Sequence, residues 1–131
     1  MKNYKKYYTK YWLPPIIYCL LIFAQSTLDL PVSKFQSFDK LLHFIVYFLL
    51  GILIFRAFST VSKSFHIIFV LIISVFVSAA IGLADEIFQL FSPSRTIDRL
   101  DVALDVAGST CGMVVFLLIR FIVKLKMNKT R

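Results

Sequence analysis

Four long apolar stretches, separated by short polar ones, dominate the sequence. Each stretch is long enough to cross the hydrocarbon core of a bilayer as a helix, which takes about 17–25 residues. The pattern predicts an all-α polytopic membrane protein, with transmembrane helices at about residues 12–28, 39–58, 65–91 and 100–123. The connecting segments are short, so we expect two helical hairpins within a single membrane domain that covers residues 1–131.

The first apolar stretch allows two interpretations. It follows Trp12 and carries Pro14 and Pro15 at its start, where missing N–H groups cost a helix least. A cleaved signal peptide is the alternative, because Ala24-Gln25-Ser26 loosely resembles a small-residue cleavage site. We favour a transmembrane helix, since another membrane segment follows it rather than a secreted domain.

Composition and charge add an orientation to this picture. The chain is 59% hydrophobic, whereas soluble domains are nearer to about 45–50%, and it carries a net charge of +8. Most basic residues lie on one side of the predicted bundle: Lys2, Lys5, Lys6, Lys10, Arg56, Lys63, Arg120, Lys124, Lys126, Lys129 and Arg131. Only Lys34, Lys40, Arg95 and Arg99 lie on the other. The positive-inside rule therefore predicts cytoplasmic termini and two outward-pointing hairpins. The basic side would contact membrane lipids, and we expect no nucleic-acid partner.

All acidic residues fall in the predicted outer half: Asp29, Asp39, Asp85, Glu86, Asp98, Asp101 and Asp105. Asp39 and Asp98 precede or begin predicted helices, where carboxylates cap the N-terminus and favour the helix dipole, so we interpret both as helix caps. Asp101 also lies near such an end.

Asp85 and Glu86 are harder to explain. They lie near the C-terminal end of the third predicted helix, where the dipole has the wrong sign for a carboxylate, and at least about one turn inside its boundary. Ionisable groups within a membrane are costly unless they are paired or hydrated, and they are functional candidates. We expect Arg95, Lys40 and His43 to stabilise them. A purely structural buried ion pair with Arg95 or Lys40 is the alternative.

Small and polar side chains recur at helical spacing on three of the predicted spans, which predicts that these faces pack together inside the bundle. The stripes comprise His43, Tyr47, Gly51 and Ile54; Ala79, Gly82, Glu86 and Gln89, with Ser78 and Asp85 overlapping; and Asp101, Asp105, Gly108 and Gly112. Their polar ends would share one outward-opening pocket. Its candidate residues are Lys40, His43, Tyr47, Asp85, Glu86, Gln89, Arg95, Asp101 and Asp105.

The same residues resemble the motifs of the VanZ-like family. The opening motif corresponds to Asp39-Lys40-Leu41-Leu42-His43-Phe44 with Tyr47 and Gly51. Further matches are Glu86-Ile87-Phe88-Gln89, Pro93-Ser94-Arg95, and Asp101, Asp105, Gly108 and Gly112. The resemblance runs from about Asp39 to Gly112. It implies a small polytopic bacterial membrane protein, of a family whose named member is associated with low-level teicoplanin resistance.

Two positions depart from the family pattern. Asp105 stands where the family usually has Asn, which adds a negative charge to the predicted pocket. Ser94 stands where the family usually has Gly, so the turn before Arg95 is expected to be less tight.

Three functions are consistent with these residues. The first is an outward-facing site that binds a cell-envelope component, such as a lipid-linked cell-wall precursor or a lipid head group. The second is a membrane-embedded hydrolase or transferase, in which His43 with Glu86, Asp101 or Asp105 forms a general acid/base set or a carboxylate–histidine metal site. The third is a structural partner subunit. No nucleophile motif and no Gly-rich phosphate loop appear, and Cys19 and Cys111 have no metal-ligand spacing, so we assign neither a cofactor nor a metal from the sequence.

Overall fold

The structure is a computed structural model that describes residues 4–27, 36–61, 66–91 and 98–129, with the side chains of 36–38 excepted. The described part of the chain is helical except for a few residues at the helix ends, as the sequence predicts. These are α1 (Tyr4–Tyr11), α2 (Leu13–Ser26), α3 (Gln36–Val61), α4 (Ile67–Gln89) and α5 (Arg99–Lys129).

Among the described residues, three helices are long and apolar enough to cross a membrane. They are Asp39–Val61 of α3, Ile67–Gln89 and Arg99–Lys129, with mean hydropathies of 2.2, 2.9 and 2.1. They correspond to the second, third and fourth predicted spans. α3 and α5 are longer than the sequence predicted, because helical backbone continues through polar residues on the flanks of the apolar cores.

The first predicted span is divided in the structure. α2 has 14 residues, so it is about 21 Å long against a hydrocarbon core of about 30 Å. It is preceded by α1, a helix that the sequence did not predict. Pro14 and Pro15 lack the N–H groups that would continue the α-helical hydrogen bonding, and Trp12 separates the two helices. Even so, the Trp12 N–H donates to the Tyr8 carbonyl oxygen at 2.9 Å, which keeps the backbone nearly continuous.

α3 and α5 lie side by side in parallel and form the most extensive contact of the bundle. Glycines on α5 allow the two helices to approach this closely. A β-carbon at Gly112 would overlap the backbone carbonyl of Phe48, and one at Gly108 would overlap that of Phe44. Small residues let two membrane helices come this close. This contact holds the N-terminal ends of both helices at the same end of the bundle.

α2 and α4 run antiparallel to this pair. At one end of α2 the Trp12 ring contacts Phe58 of α3, with ring centroids 5.4 Å apart, and further along the Tyr18 hydroxyl donates to the Val46 carbonyl oxygen at 3.2 Å. In α4, Val70 packs with Phe55 and Met113 in a buried apolar cluster. The bundle therefore has one end that carries α1 and the basic C-terminus of α5, and an opposite end where α2 and α4 finish and α3 and α5 begin.

We predict that Gly112→Val lowers the thermal stability of the detergent-purified protein by several degrees, because its side chain would displace the α3 backbone. Ala107→Val is the matched control: it also places valine on α5, but at a position that faces outward. Fluorescence-detected size-exclusion chromatography after heating measures both. Equal melting temperatures for the two variants would show that the α3–α5 contact does not depend on glycine.

Candidate functional site

Carboxylates gather at the end of the bundle where α2 and α4 finish and α3 and α5 begin. Six of them lie in the described residues at this end: Asp39, Asp85, Glu86, Asp98, Asp101 and Asp105. The basic side chains described there are Lys40, His43 and Arg99, of which Arg99 is exposed. This end is therefore rich in hydrogen-bond acceptors and poor in cations within the described part of the chain.

His43 and Asp105 form the central contact between α3 and α5. The Nδ1 atom of His43 lies 3.0 Å from Oδ1 of Asp105, and both side chains are buried. Since a carboxylate accepts, Nδ1 carries the proton in this hydrogen bond. Tyr47, one turn further along α3, stacks on the imidazole with ring planes 6° apart. The orientation of the His43 ring is thus determined from two sides.

Asp85 finds its partner on α2. The hydroxyl of Ser26 donates to Asp85 Oδ1, and both residues are buried. The sequence predicts Lys40, His43 and Arg95 as partners of this carboxylate, of which Arg95 lies outside the described residues. The contact from Ser26 comes from the end of the first apolar segment, which is not part of the predicted pocket.

Glu86 faces α5. Its Oε2 atom accepts the backbone N–H of Asp98 at 3.1 Å, so a main-chain group meets this carboxylate. Glu86 is completely buried, and so is Asp105, while Asp85 is 3% exposed. The adjacent residues Asp85 and Glu86 are therefore both buried, because α4 lies between α2 on one side and α5 on the other.

Of the two predicted helix caps, Asp98 is confirmed and Asp39 is not. Asp98 caps α5, since its Oδ1 atom accepts the N–H of Leu100 at 2.9 Å, which confirms that interpretation. Asp39 is not a cap, because α3 begins at Gln36 and Asp39 lies within its first turn. Lys40 lies 3.8 Å from Asp98 in a partly exposed pair, so in the described residues it neutralises Asp98 rather than Asp85 or Glu86.

A small, partly open cavity of about 50 Å³ adjoins these groups. Its lining comes from α2, α3 and α4: Ile22, Gln25, Ser26, Asp39, Leu42, His43, Val46, Tyr47, Asp85 and Gln89. A water molecule needs roughly 10–15 Å³ of such space, so the cavity can hold a few water molecules or one small polar group. It is too small to enclose a whole lipid head group.

Three buried carboxylate oxygens lack a hydrogen-bond partner among the described residues. They are Oε1 of Glu86, Oδ1 of Asp101 and Oδ2 of Asp105. A buried polar atom left without a partner costs roughly 1–3 kcal/mol, and more when it is charged. Each of these oxygens therefore favours a proton, a cation or a donor supplied by a ligand.

The nine predicted pocket residues occupy different layers of this end. His43, Tyr47, Asp85 and Gln89 line the cavity. Glu86, Asp101 and Asp105 are buried but do not line it, and Lys40 is partly exposed. Arg95 lies outside the described residues.

Sequence reasoning missed three polar residues that line the cavity: Gln25, Ser26 and Asp39. Gln25 and Ser26 are consecutive polar residues at the end of an otherwise apolar segment, which is the signal that could have identified them.

The fold and the site define a multi-pass membrane protein with a carboxylate-rich polar site at one end of its helix bundle. A model of the VanZ/LLP1 family matches residues 3–120, and the chain belongs to this family. The resemblance of its motifs to VanZ-like proteins is thereby confirmed. Neither a curated protein nor a solved structure matches the chain.

We predict that His43 and Asp105 are energetically coupled. His43→Ala would leave a buried carboxylate without its partner, and such losses cost about 3–5 kcal/mol. The double variant with Asp105→Ala should be less destabilised than the sum of the single variants, because no unpaired charge remains. Equilibrium unfolding in mixed detergent–dodecyl sulfate micelles gives the three free energies. Additive effects would contradict a direct interaction.

Proposed function

We propose that this VanZ-like protein binds the polar part of a cell-envelope component at its carboxylate-rich end. The observation that carries the proposal is the set of unpartnered buried oxygens of Glu86, Asp101 and Asp105, at the same end of the bundle as the polar cavity lined by His43 and Asp85. Such oxygens match a ligand that supplies donors, such as hydroxyl or ammonium groups. A lipid-linked cell-wall precursor or a lipid head group offers these donors at the membrane surface.

The size of the cavity limits how the ligand binds. About 50 Å³ admits one small polar group and not a head group with its substituents. The ligand would therefore insert a single group between α2, α3 and α4, and the rest of it would remain outside. The outside of the bundle carries many exposed, large apolar side chains that suit a lipid environment. A membrane-anchored ligand could therefore approach the site laterally, through the lipid.

The site faces outward in the topology that we propose, with four membrane crossings and cytoplasmic termini in the inner membrane of a bacterium. α1, Trp12 and α2 together extend from Tyr4 to Ser26 with nearly continuous backbone hydrogen bonding. Their two ends support a crossing: Tyr7 bonds Thr60 near one end of α3, at 2.7 Å between the hydroxyl oxygens, whereas Ser26 bonds Asp85 at the other end of the bundle. The basic residues at the α1 end favour the cytoplasm.

The proposed role includes a contribution to glycopeptide resistance of the teicoplanin type. A protein that binds a cell-wall precursor at the outer surface of the membrane would compete with a drug that binds the same precursor, or would shield the precursor from that drug.

An enzyme is the second candidate, and the His43–Asp105 pair favours it. A carboxylate that orients an imidazole is a common arrangement for a general base, and His43 lines the cavity where a bound group would lie. The reaction would be hydrolysis or group transfer on the lipid-linked ligand. Turnover of that ligand by the purified protein would distinguish this function from binding alone.

Substituted-cysteine labelling tests the topology. In a chain with Cys19→Ala and Cys111→Ala, a membrane-impermeant maleimide added to intact cells should label Thr27→Cys and Arg99→Cys. Thr9→Cys and Lys129→Cys should react only after the cells are permeabilised. Labelling of Thr9→Cys and Thr27→Cys from the same side would contradict a crossing by α1 and α2.

Asp85→Asn tests the binding site, because it removes a charge from the cavity with little change of shape. We expect at least a tenfold loss of affinity for a lipid-linked cell-wall precursor, measured by native mass spectrometry of the purified protein. We also expect a lower teicoplanin inhibitory concentration in expressing cells, at equal membrane levels of protein.

Ser74→Ala is the control on the same helix. Ser74 bonds the Val70 carbonyl oxygen and lies about 16 Å from Asp85 along the helix axis, so it should behave as wild type. Equal precursor binding by wild type and Asp85→Asn would contradict the proposed site.

A further inference from the structure

We propose that Asp39, His43 and Asp101 bind one divalent transition-metal ion. One ligand atom from each of these residues lies within 4.8 Å of those of the other two. Metal–ligand bonds of about 2.0–2.2 Å place neighbouring ligand atoms roughly 3–3.5 Å apart, so a small inward movement of the side chains completes the site. Binding of the ion does not require the envelope ligand.

The two helices bring these residues together by their register. Asp39 and His43 are four residues apart and therefore share one face of α3. Asp101 lies in the first turn of α5, which packs in parallel against α3. Glycine allows α3 and α5 to pack closely, and this close contact determines the distance between the ligands.

Asp101 provides the independent observation. It is only 8% exposed, and its Oδ1 atom has no hydrogen-bond partner within the described part of the chain. A buried carboxylate oxygen in this state requires a proton or a cation. A bound metal would satisfy it together with His43 and Asp39, each of which has a ligand atom within 4.8 Å of one of Asp101.

The contact between Asp105 and His43 agrees with metal binding. Histidines that ligate a metal almost always donate their other ring N–H to a carboxylate or carbonyl, which orients the ring. The Nδ1 atom of His43 makes this bond to Asp105, so the structure assigns Nε2 to the ion. Asp105 is then a positioning residue rather than a ligand.

The donor set indicates the kind of metal. One imidazole nitrogen and two carboxylates, with no thiolate, suit Zn²⁺ or Mn²⁺ better than Cu⁺ or Mg²⁺. Three protein ligands leave at least one coordination position open. Asp39 and His43 also line the cavity, so that position would be reached from the cavity.

Metal binding is tested on the full-length, detergent-purified protein without a histidine tag, after treatment with chelator. Titration of ZnCl₂ and of MnCl₂ by isothermal calorimetry should show one ion per chain for at least one of them. Asp101→Asn should weaken this binding at least a hundredfold, and Asp105→Asn about tenfold to a hundredfold, the usual loss for an outer-shell partner. Absence of saturable binding of both metals would overturn the proposal.

Asp98→Asn is the matched control at the same end of the bundle. Asparagine caps helices as well as aspartate does, so α5 remains capped, and Asp98 is not a ligand. Its metal affinity should equal that of wild type. If Asp98→Asn weakens binding as much as Asp101→Asn does, general negative charge attracts the ion and the assigned ligands are wrong.

A spectroscopic readout on the wild-type chain keeps the test independent of variant folding. Mn²⁺ bound to the protein should show electron spin echo modulation from the ¹⁴N nucleus of one imidazole, whereas Mn²⁺ held only by carboxylates and water would not. Modulation supports ligation by His43, and its absence from a Mn²⁺-loaded sample overturns it. Because neither readout involves the envelope ligand, metal binding and the proposed function can fail separately.

Discussion

The close parallel contact of α3 and α5 is the constraint on which the rest of the structure depends. Glycines at the contact let the backbones approach until a β-carbon at Gly108 or Gly112 would overlap α3. In a lipid environment no hydrophobic effect drives helices together, so this packing must come from close van der Waals contact and hydrogen bonds. The contact sets His43 beside Asp105, and it holds the two helix N-termini at one end, where their dipoles favour the surrounding carboxylates.

α4 completes the site because it lies between two helices, α2 and α5, and each of them contacts a different carboxylate of α4. Asp85 and Glu86 differ in direction by about 100°, so a single pocket cannot receive both equally. The structure resolves this by giving each its own partner: Ser26 of α2 donates to Asp85, and the Asp98 N–H of α5 donates to Glu86. The N–H that meets Glu86 belongs to the residue that caps α5, so the start of that helix and the burial of Glu86 are linked.

The sequence predicted the faces of the helices better than their partners. The spacing of His43, Tyr47 and Gly51 identifies a buried stripe because helical periodicity is local, and all three are buried. The contact of Ser26 with Asp85 joins positions 59 residues apart, and its geometry depends on how α2 is rotated against α4. Nothing local encodes that rotation. The same holds for Lys40, whose reach to Asp98 depends on the relative height of α3 and α5. The break at Trp12 was locally encoded by Pro14 and Pro15, but the helical conformation of the basic segment before it was not expected.

The balance of donors and acceptors argues for a ligand at the polar end. Ser26, His43, Lys40 and the Asp98 N–H each satisfy one carboxylate oxygen, and yet oxygens of Glu86, Asp101 and Asp105 stay buried and unpartnered within the described residues. A site that served only to hold helices together would be more stable with apolar groups or amides at these positions, because each unpaired acceptor costs folding free energy. Asp105 makes the point most clearly: its Oδ1 atom accepts the hydrogen bond from His43, whereas its Oδ2 atom stays buried without a partner in the described residues and can still accept a proton, a cation or a donor.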